Sequence, residues 1–438
     1  MAYILDNEIF DESLRAVELI FPLHRSISGD GINSAFSILA DEIGGNIYNY
    51  STDSMVFDWR IPDEWVCNDI SISKINEDGS VGEKIVAFDH PLRIASHSKF
   101  FKGQLSGAEL KHHLVFSKKY PHNLSHQYIY YTENWKISVT KSEFELIEDN
   151  KNYFVLVDTL KYRGSLKVHE KIIGNPKKPS ILFLSHICHP AQFNDGLVGV
   201  LLNIYLSKYL EKSQINNRYC YKFLTFPETI GSHAYCSNSE NIRDSKFAIF
   251  SEMTALNQPL HIQMSKDEND YVNKIIRLAA KENKFDARYS PFLKVIRNDE
   301  KVFNSPGIGI PSASITRAWG PGHKNHPFWG YHTDLDTIEN SDLSKLEEVI
   351  VLYKSLIDIL ENDFVVKRNF VGIPMLSRHD LFIDPLVDRD SYNLLEQITF
   401  QLDSEILISE IAINLNSSFY KIKSILDSWN KKGLVSLK

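Results

Sequence analysis

Residues 181–210 read ILFLSHICHPAQFNDGLVGVLLNIYLSKYL and hold the strongest fold signal in the chain. A short apolar run, 181–185, has the pattern of a buried strand, and the apolar segment 197–210 has the length and spacing of a helix. The same order of strand, polar loop and helix recurs from about residue 166 to 370, with further strand patterns at 221–226, 247–251 and 312–316. This alternation predicts an α/β sheet flanked by helices.

The segments on either side have different textures. Residues 8–44 carry apolar positions at helical spacing, whereas residues 46–165 hold short apolar or alternating runs between turn signals. Beyond residue 376, three helical patterns precede a short strand-like end, an order typical of a winged helix. The 438-residue chain is therefore predicted to hold an α/β domain split between 1–45 and 166–375, a mostly-β insert at 46–165 and a winged-helix domain at 376–438.

Composition narrows the class of protein. Apolar residues make up 43% and charged residues 24%, the balance of a globular protein with a sizeable core. A net charge of −8 argues against nucleic acid and anionic membrane as partners. The winged-helix segment has seven Lys/Arg against nine Asp/Glu, so a protein partner or self-association is favoured over DNA.

Cysteine usage and hydropathy point to a compartment. The four scattered cysteines form no CxxC pair and are too few for a disulfide framework. The first residues lack the basic and apolar regions of a signal peptide, and no apolar run is long enough to span a bilayer. A cytoplasmic protein without a membrane partner is expected.

Side chains with metal-binding chemistry follow the predicted strands. His186 ends the first strand, Asp195 opens the next helix, Glu228 and Glu252 follow the second and third strands, and His332 lies in a later loop. Because the carboxyl ends of strands form the ligand crevice of an open α/β sheet, these side chains are expected to lie together. Imidazole nitrogens and carboxylate oxygens suit zinc, so a metal site is predicted at this edge.

The order of these residues resembles the metal site of co-catalytic zinc aminopeptidases. The matching pieces are His186, Asn194-Asp195-Gly196, Glu228 before Gly231-Ser232, Glu252-Met253, the Asp299–Phe303 loop and His332-Thr333. The tracts 57–65, 185–190 and 227–231 resemble a bacterial branch of that family that carries a β insert and a C-terminal winged helix. The resemblance implies an aminopeptidase-like mixed sheet and one or two zinc ions. It places His186 and Glu252 on one ion and Glu228 and His332 on the other, with Asp195 as the bridge.

The sequence departs from the family pattern at two positions. The family has two consecutive glutamates, a general base followed by a metal ligand, whereas here Pro227 precedes Glu228. Either Glu228 is the base and one ion binds, or Glu228 binds metal and the base lies elsewhere, with Glu300 and Asp299 as weaker candidates. The second departure is His189. It is either an alternative ligand or a residue with a structural role, and the structural role is the more common case for a histidine.

Several other residues have two interpretations. Arg317 is predicted on the substrate side, where its fork would bind a carboxylate, but a surface salt bridge fits equally well. Asp299 is a second candidate for substrate contact. Cys188 is a thiolate ligand or, more simply, a small packing residue, and His126 is expected at the surface. Asp336 would either orient His332 or cap an exposed helix.

Together these features favour a zinc-dependent hydrolase of the aminopeptidase type. Metal-activated water would attack an amide carbonyl while a carboxylate passes the proton to the leaving amine. The insert and the tail are expected to restrict access, which favours a small peptide or amide substrate. One alternative is a hydrolase in cell-surface polysaccharide biosynthesis. Another, motivated by Pro227, is a catalytically weakened metal-containing protein with a binding or regulatory role.

Overall fold

The computed structural model describes residues 4–213 and 218–438. Its strands are β1 Asn46–Ser51, β2 Met55–Val56, β3 Trp59–Arg60, β4 Glu64–Ile75, β5 Val81–Ala87, β6 Phe101–Ser106, β7 Leu114–Val115, β8 Ile137–Ser138, β9 Asn152–Tyr162, β10 Ser165–Ile173, β11 Ser180–His186, β12 Cys220–Phe226, β13 Ser245–Ser251, β14 Leu260–Gln263, β15 Ala287–Ser290, β16 Ser312–Thr316, β17 Val365–Arg368, β18 Ile406–Leu407 and β19 Val435–Leu437. Its α-helices are α1 Asn7–Ile20, α2 Asp30–Ile43, α3 Gly107–Lys111, α4 Lys141–Glu145, α5 Val198–Ser213, α6 Ile230–Ser237, α7 Ser239–Ile242, α8 Tyr271–Glu282, α9 Glu300–Phe303, α10 Leu343–Asn362, α11 Arg389–Gln401, α12 Ile408–Asn414 and α13 Phe419–Lys431. Within these ranges, no helix has the length and apolar character needed to cross a bilayer.

The described residues group into two compact units, 4–272 with 287–350, and 273–286 with 351–438. The larger unit contains an eight-stranded sheet in the order β1-β10-β12-β11-β13-β16-β14-β15. Strands β12, β11, β13 and β16 run parallel at its centre. Strand β10 pairs antiparallel with both β1 and β12, and β14 pairs antiparallel with β16 and parallel with β15. The predicted mixed sheet is therefore confirmed; α2 and α5 pack against it, and α1 packs on α2 and α5.

The centre of this sheet explains why residues 181–210 carry so strong a signal. Every residue of β11 and β12 is buried, and parallel strands covered on both faces read as continuous apolar runs. Helix α5 covers β11, and its Asn203 amide donates to Ser185 Oγ at 2.9 Å. Because β11, β12 and β13 are parallel, all three end at one edge of the sheet, and the polar residues that follow them meet there.

The mostly-β segment forms a second sheet within the larger unit. Its order is β5-β4-β9-β6, with all neighbours antiparallel. Its core includes the buried side chains of Trp65, Ile72, Trp135 and Val155. Strand β1, at the start of the predicted insert, instead pairs with β10 in the main sheet. The chain thus leaves the main sheet after β1 and returns to it at β10.

The smaller unit includes three helices, α11 to α13, and an antiparallel sheet in the order β18-β17-β19. One face of α13 is buried: the side chains at helical spacing, Phe419, Ile422, Leu426 and Trp429, are each at most 1% exposed. The carboxylate of Glu282 accepts from the Phe419 backbone N–H at 2.6 Å, which satisfies a free donor at the start of α13. The winged-helix assignment stays a prediction.

Candidate metal centre

The edge at which β11, β12 and β13 end gathers three groups of potential ligands. One consists of His186, Cys188 and His189, and the other two, here called the first and second groups, share one carboxylate. The first group is His186, Asp195 and Glu252, and the second is His189, Asp195 and His332. In each group, one donor atom from every residue lies within 4.8 Å of the others. Four of the five predicted ligands belong to these groups, and the fifth, Glu228, does not. His189, the alternative ligand, occupies a place in the second group.

Asp195 lies between the two groups. Its Oδ1 is 3.6 Å from His186 Nε2 and 3.7 Å from His189 Nδ1, and its Oδ2 is 2.8 Å from His332 Nε2. His186 Nε2 is also 3.0 Å from Glu252 Oε2. A carboxylate whose oxygens face different imidazoles has the geometry of a bridging ligand, and the donor set of nitrogen and oxygen atoms fits zinc.

Glu228 lies just outside both groups. Its Oε2 is 3.3 Å from His189 Nε2, and its side chain is 30% exposed. The carboxylate lines a cavity of about 360 Å³ together with His189 and His332, and a neighbouring cavity of about 560 Å³ together with Glu252. The first cavity has aromatic walls, contributed by Trp59, Tyr128, Tyr130, Tyr131 and Tyr331. Glu228 therefore faces the space in which a substrate would meet the metal ligands.

A buried carboxylate, Asp336, fixes the loop that carries Asp195. Asp336 Oδ2 accepts from the Asp195 backbone N–H at 2.9 Å, and Oδ1 accepts from the Asn194 backbone N–H at 2.8 Å. The expectation that Asp336 orients His332 or caps an exposed helix is therefore wrong, because it is only 2% exposed and both oxygens hold the 194–195 backbone. The following residue, Gly196, has a φ of 120°, and a Cβ there would lie 3.0 Å from the His186 ring.

Three non-glycine residues at the centre have left-handed backbone conformations. Thr229 follows Glu228 with a φ of 63°, Met253 follows Glu252 with a φ of 55°, and His332 itself has a φ of 57°. Such conformations cost on the order of 1–3 kcal/mol each and cluster at functional sites. Backbone strain at all three loops indicates that the surrounding structure holds these residues in a functional orientation.

The β insert reaches the centre through His126. Its backbone N–H donates to the His332 carbonyl at 2.8 Å. Its ring centroid lies 4.8 Å from that of His189 and 5.1 Å from that of His332. The expectation that His126 lies at the surface is wrong, since the residue is 4% exposed. Nothing in the local sequence reveals this, because the contact depends on how the insert folds back.

Burial and neighbouring charges shift the pKa values of the ligands in opposite directions. Burial raises the pKa of Glu252 to about 7 and lowers the pKa of His189 to about 4. Burial also opposes ionisation of Asp195, but the imidazoles of His189 and His332 outweigh it and bring the pKa of that carboxyl below its usual range. A neutral His189 and an ionised Asp195 are the protonation states that bind a metal ion.

The other two acidic candidates, Glu300 and Asp299, hydrogen-bond to the loops beside the ligand groups. The Glu300 carboxylate accepts from the Asn298 backbone N–H at 3.1 Å, and burial raises its pKa to about 8. The Asn298 amide in turn donates to Glu252 at 2.9 Å. Asp299 accepts from the Thr229 backbone N–H at 2.8 Å and from a serine hydroxyl. Both carboxylates are fully buried, and the structure does not bring them to either cavity.

Arg317 and Cys188, which each had two interpretations, are both buried. Arg317 is 3% exposed, donates to the Gln258 carbonyl at 2.7 Å and forms an ion pair with Glu348. The structure therefore places its guanidinium in a salt bridge and away from the cavities. Cys188 is buried, which raises the pKa of its thiol, and its sulfur accepts from the Glu228 backbone N–H at 3.2 Å.

Known proteins share this architecture. The chain is 28% identical over 362 residues to a candidate polysaccharide biosynthesis protein with an aminopeptidase-like domain from Clostridium acetobutylicum, covering 82% of this chain and 79% of that protein. It is 26% identical to a candidate peptidase of known structure from the same organism, with a TM-score of 0.85 over 98% of this chain and 97% of the other. A zinc aminopeptidase from Bacillus subtilis shares the fold at 14% identity, with a TM-score of 0.58 over 80% and 94% of the two chains.

These likenesses confirm the predicted aminopeptidase-like fold, and the 26%-identical candidate peptidase supports the predicted enzyme class. Residues 14–363 match the family described as Domain of unknown function (DUF4910). That stretch contains every residue of the two ligand groups. The chain therefore belongs to the DUF4910 family.

Proposed function

We propose that the protein is a zinc-dependent hydrolase of the aminopeptidase type that cleaves an amide bond in a small peptide or amide. The observation that carries the proposal is the pair of ligand groups joined by Asp195 at the carboxyl edge of the sheet. Three imidazoles and two carboxylates, nearly all buried, are costly to hold so close together without a cation. Zinc would offset that cost, with His186, Asp195, Glu252 and His332 as the predicted ligands that lie in the two groups.

The division of labour follows from the geometry. Bound zinc makes water a good nucleophile near neutral pH and polarises the amide carbonyl. Glu228 is the acidic side chain that faces both cavities, so it is placed to move the proton toward the leaving amine. Glu300 and Asp299, in contrast, act by positioning Asn298 and the loop that follows Glu228.

The aromatic cavity bears on the substrate. Trp59, Tyr128 and Tyr130 come from the segment inserted into the main domain, and Tyr331 adjoins His332. Aromatic faces pack against apolar side chains and also against the C–H faces of sugars. The ability to pack against sugars, together with the name of the 28%-identical relative, supports a second candidate function, amide hydrolysis on a polysaccharide precursor. The predicted small substrate agrees with a cavity of about 360 Å³.

Location and partners belong to the same proposal. We expect a cytoplasmic enzyme that acts on a small molecule and has neither nucleic acid nor membrane as its partner. The segment 376–438 remains the predicted surface for a protein partner or for self-association. The predicted boundaries, 1–45 with 166–375, 46–165 and 376–438, likewise stay as proposals.

Metal content and turnover test the function together. The purified chain should retain zinc after gel filtration and hydrolyse members of a panel of aminoacyl amides or N-acylated sugars. His332→Ala should lower both zinc content and turnover, whereas the matched control His122→Ala, an exposed imidazole of the insert, should change neither. Bound zinc without turnover on either panel would favour the binding or regulatory alternative. A chain that retains no zinc would refute the proposal.

A further inference from the structure

The second ligand group poses a problem that the family pattern does not solve. Asp195 and His332 supply two ligands to it, and the consecutive glutamate that would supply a third is missing, because Pro227 precedes Glu228. If Glu228 fills the gap, the cavity has no carboxylate for proton transfer. If it does not, a second ion is short of a ligand.

His189 lies where that ligand would be. It belongs to the loop after β11, three residues beyond His186. Its Nδ1 is 3.7 Å from Asp195 Oδ1, too far for a hydrogen bond but suited to two atoms that share a metal ion. Its other nitrogen, Nε2, is 3.3 Å from Glu228 Oε2.

The burial of His189 makes its free nitrogen significant. The side chain is 8% exposed. Within residues 4–213 and 218–438, its buried Nδ1 has no hydrogen-bond partner. An unsatisfied buried nitrogen costs on the order of 1–3 kcal/mol, a cost that a bound cation would remove. The nitrogen thus faces Asp195 without a partner, at the position where the second group needs a donor.

The loop is held in place without using this ring. The buried guanidinium of Arg25 donates to the Ile187 carbonyl at 2.9 Å and to the His189 carbonyl at 2.5 Å. These bonds fix the backbone around His189 and leave its imidazole free to serve the site. A purely structural role for the ring would leave the direction of Nδ1 unexplained.

We infer that His189 is the missing ligand of the second ion, which it binds through Nδ1 while Nε2–H donates to Glu228. This inference rests on the proposed zinc hydrolase and deepens it. Two ions are then held by His186 with Glu252 and by His189 with His332, bridged by Asp195. Glu228 orients the His189 ring, as carboxylates commonly do for metal-bound histidines. It keeps its exposed oxygen for proton transfer, so one glutamate is enough.

Zinc stoichiometry separates this assignment from the alternatives. The wild-type chain should bind about two zinc ions. His189→Gln should bind about one, and the zinc-dependent rise in its melting temperature should shrink. His189→Glu, which restores the carboxylate type that the family uses, should regain the second ion. Glu228→Gln keeps a hydrogen-bond acceptor for His189, so it should retain both ions while losing turnover.

Cobalt substitution gives a readout that is independent of activity. The visible spectrum of the Co²⁺-loaded chain should lose the contribution of one ion in His189→Gln and remain unchanged in the exposed control His122→Gln. Cys188 lies within 4.8 Å of His186 and His189, so a thiolate-to-cobalt band that disappears in Cys188→Ser would overturn the assignment.

Failure of the inference and failure of the proposed function are distinguishable. Two ions retained in His189→Gln but lost in Glu228→Gln would make Glu228 the ligand and overturn the inference alone. A single ion in the wild type, unchanged by His189→Gln, would overturn it too, with the hydrolase proposal intact. A wild type without zinc would remove the proposed function itself. If His189→Gln does not fold, the ion count of His189→Glu decides in its place, two supporting the assignment and one opposing it.

Discussion

The two ligand groups are built differently, although they share Asp195. The first group lies deep in the fold: His186 and Glu252 are at most 1% exposed, and both adjoin the ends of sheet strands. The second group lies at the cavity: the His332 side chain is 29% exposed, and its loop depends on contacts with the β insert. The strand ends place His186 and Glu252, whereas His189 and His332 of the second group lie on two loops, one of which contacts the inserted segment.

Among the substitutions that test the difference between the two groups, removal of the shared carboxylate should have the largest effect on zinc binding and turnover. Asp195→Ala deletes the oxygens that face both groups, so both ions should be lost and turnover should fall by about 1,000-fold or more. Zinc content by mass spectrometry and initial rates measure the two losses. The control Asp41→Ala, an exposed carboxylate on α2, should have no effect. Retention of one ion in Asp195→Ala would show that the first group binds independently.

A smaller effect is expected from the residue behind the shared carboxylate. In Asp336→Asn, one of the two backbone N–H groups of 194–195 faces the NH2 group of the new side chain, which donates and cannot accept. The zinc affinity of both groups should fall by about 10- to 100-fold. Competition with a chelator of known affinity measures it, with the exposed Glu339→Gln as control. Weakening of only one ion would mean that Asp336 supports a single group.

The smallest effect concerns the insert on which the second group depends. His97 is buried against Trp65, and burial lowers its pKa to about 3. As the pH falls below 6.5, the unfolded chain therefore binds a proton at His97, whereas His97 of the folded chain stays neutral until about pH 3. Unfolding free energy should fall by about 1.4 kcal/mol per pH unit as the pH drops from 6.5 toward 3. Denaturant melts measure this slope, which should be shallower in His97→Asn. An unchanged slope would assign the acid sensitivity elsewhere.

The difference between the two ligand groups also explains which of their residues can be predicted from the sequence. His186 and Glu252 are recognisable because each terminates or follows an apolar strand, and parallel strands bring their ends together. The buried face of α13 is predictable for a similar reason, since helical spacing alone determines it. Both features are local patterns.

The remainder depends on contacts between distant parts of the chain. The backbone of His189 is held at the site because Arg25, 164 residues earlier, donates to its carbonyl. Arg317 is withdrawn from the cavities by Glu348 on α10. His126 reaches the centre only because the insert folds onto the 332–334 loop. No spacing rule encodes such pairings.

That last contact has a practical consequence for the modularity of the domain. The segment 123–126 donates three hydrogen bonds to the late histidine loop: from the Asn123 amide and the Leu124 backbone to Asp334, and from His126 to His332. A shortened version that joins β1 directly to β10 would lack all three donors. The insert and the domain that carries the ligand groups should therefore be expressed, transplanted and engineered as one piece.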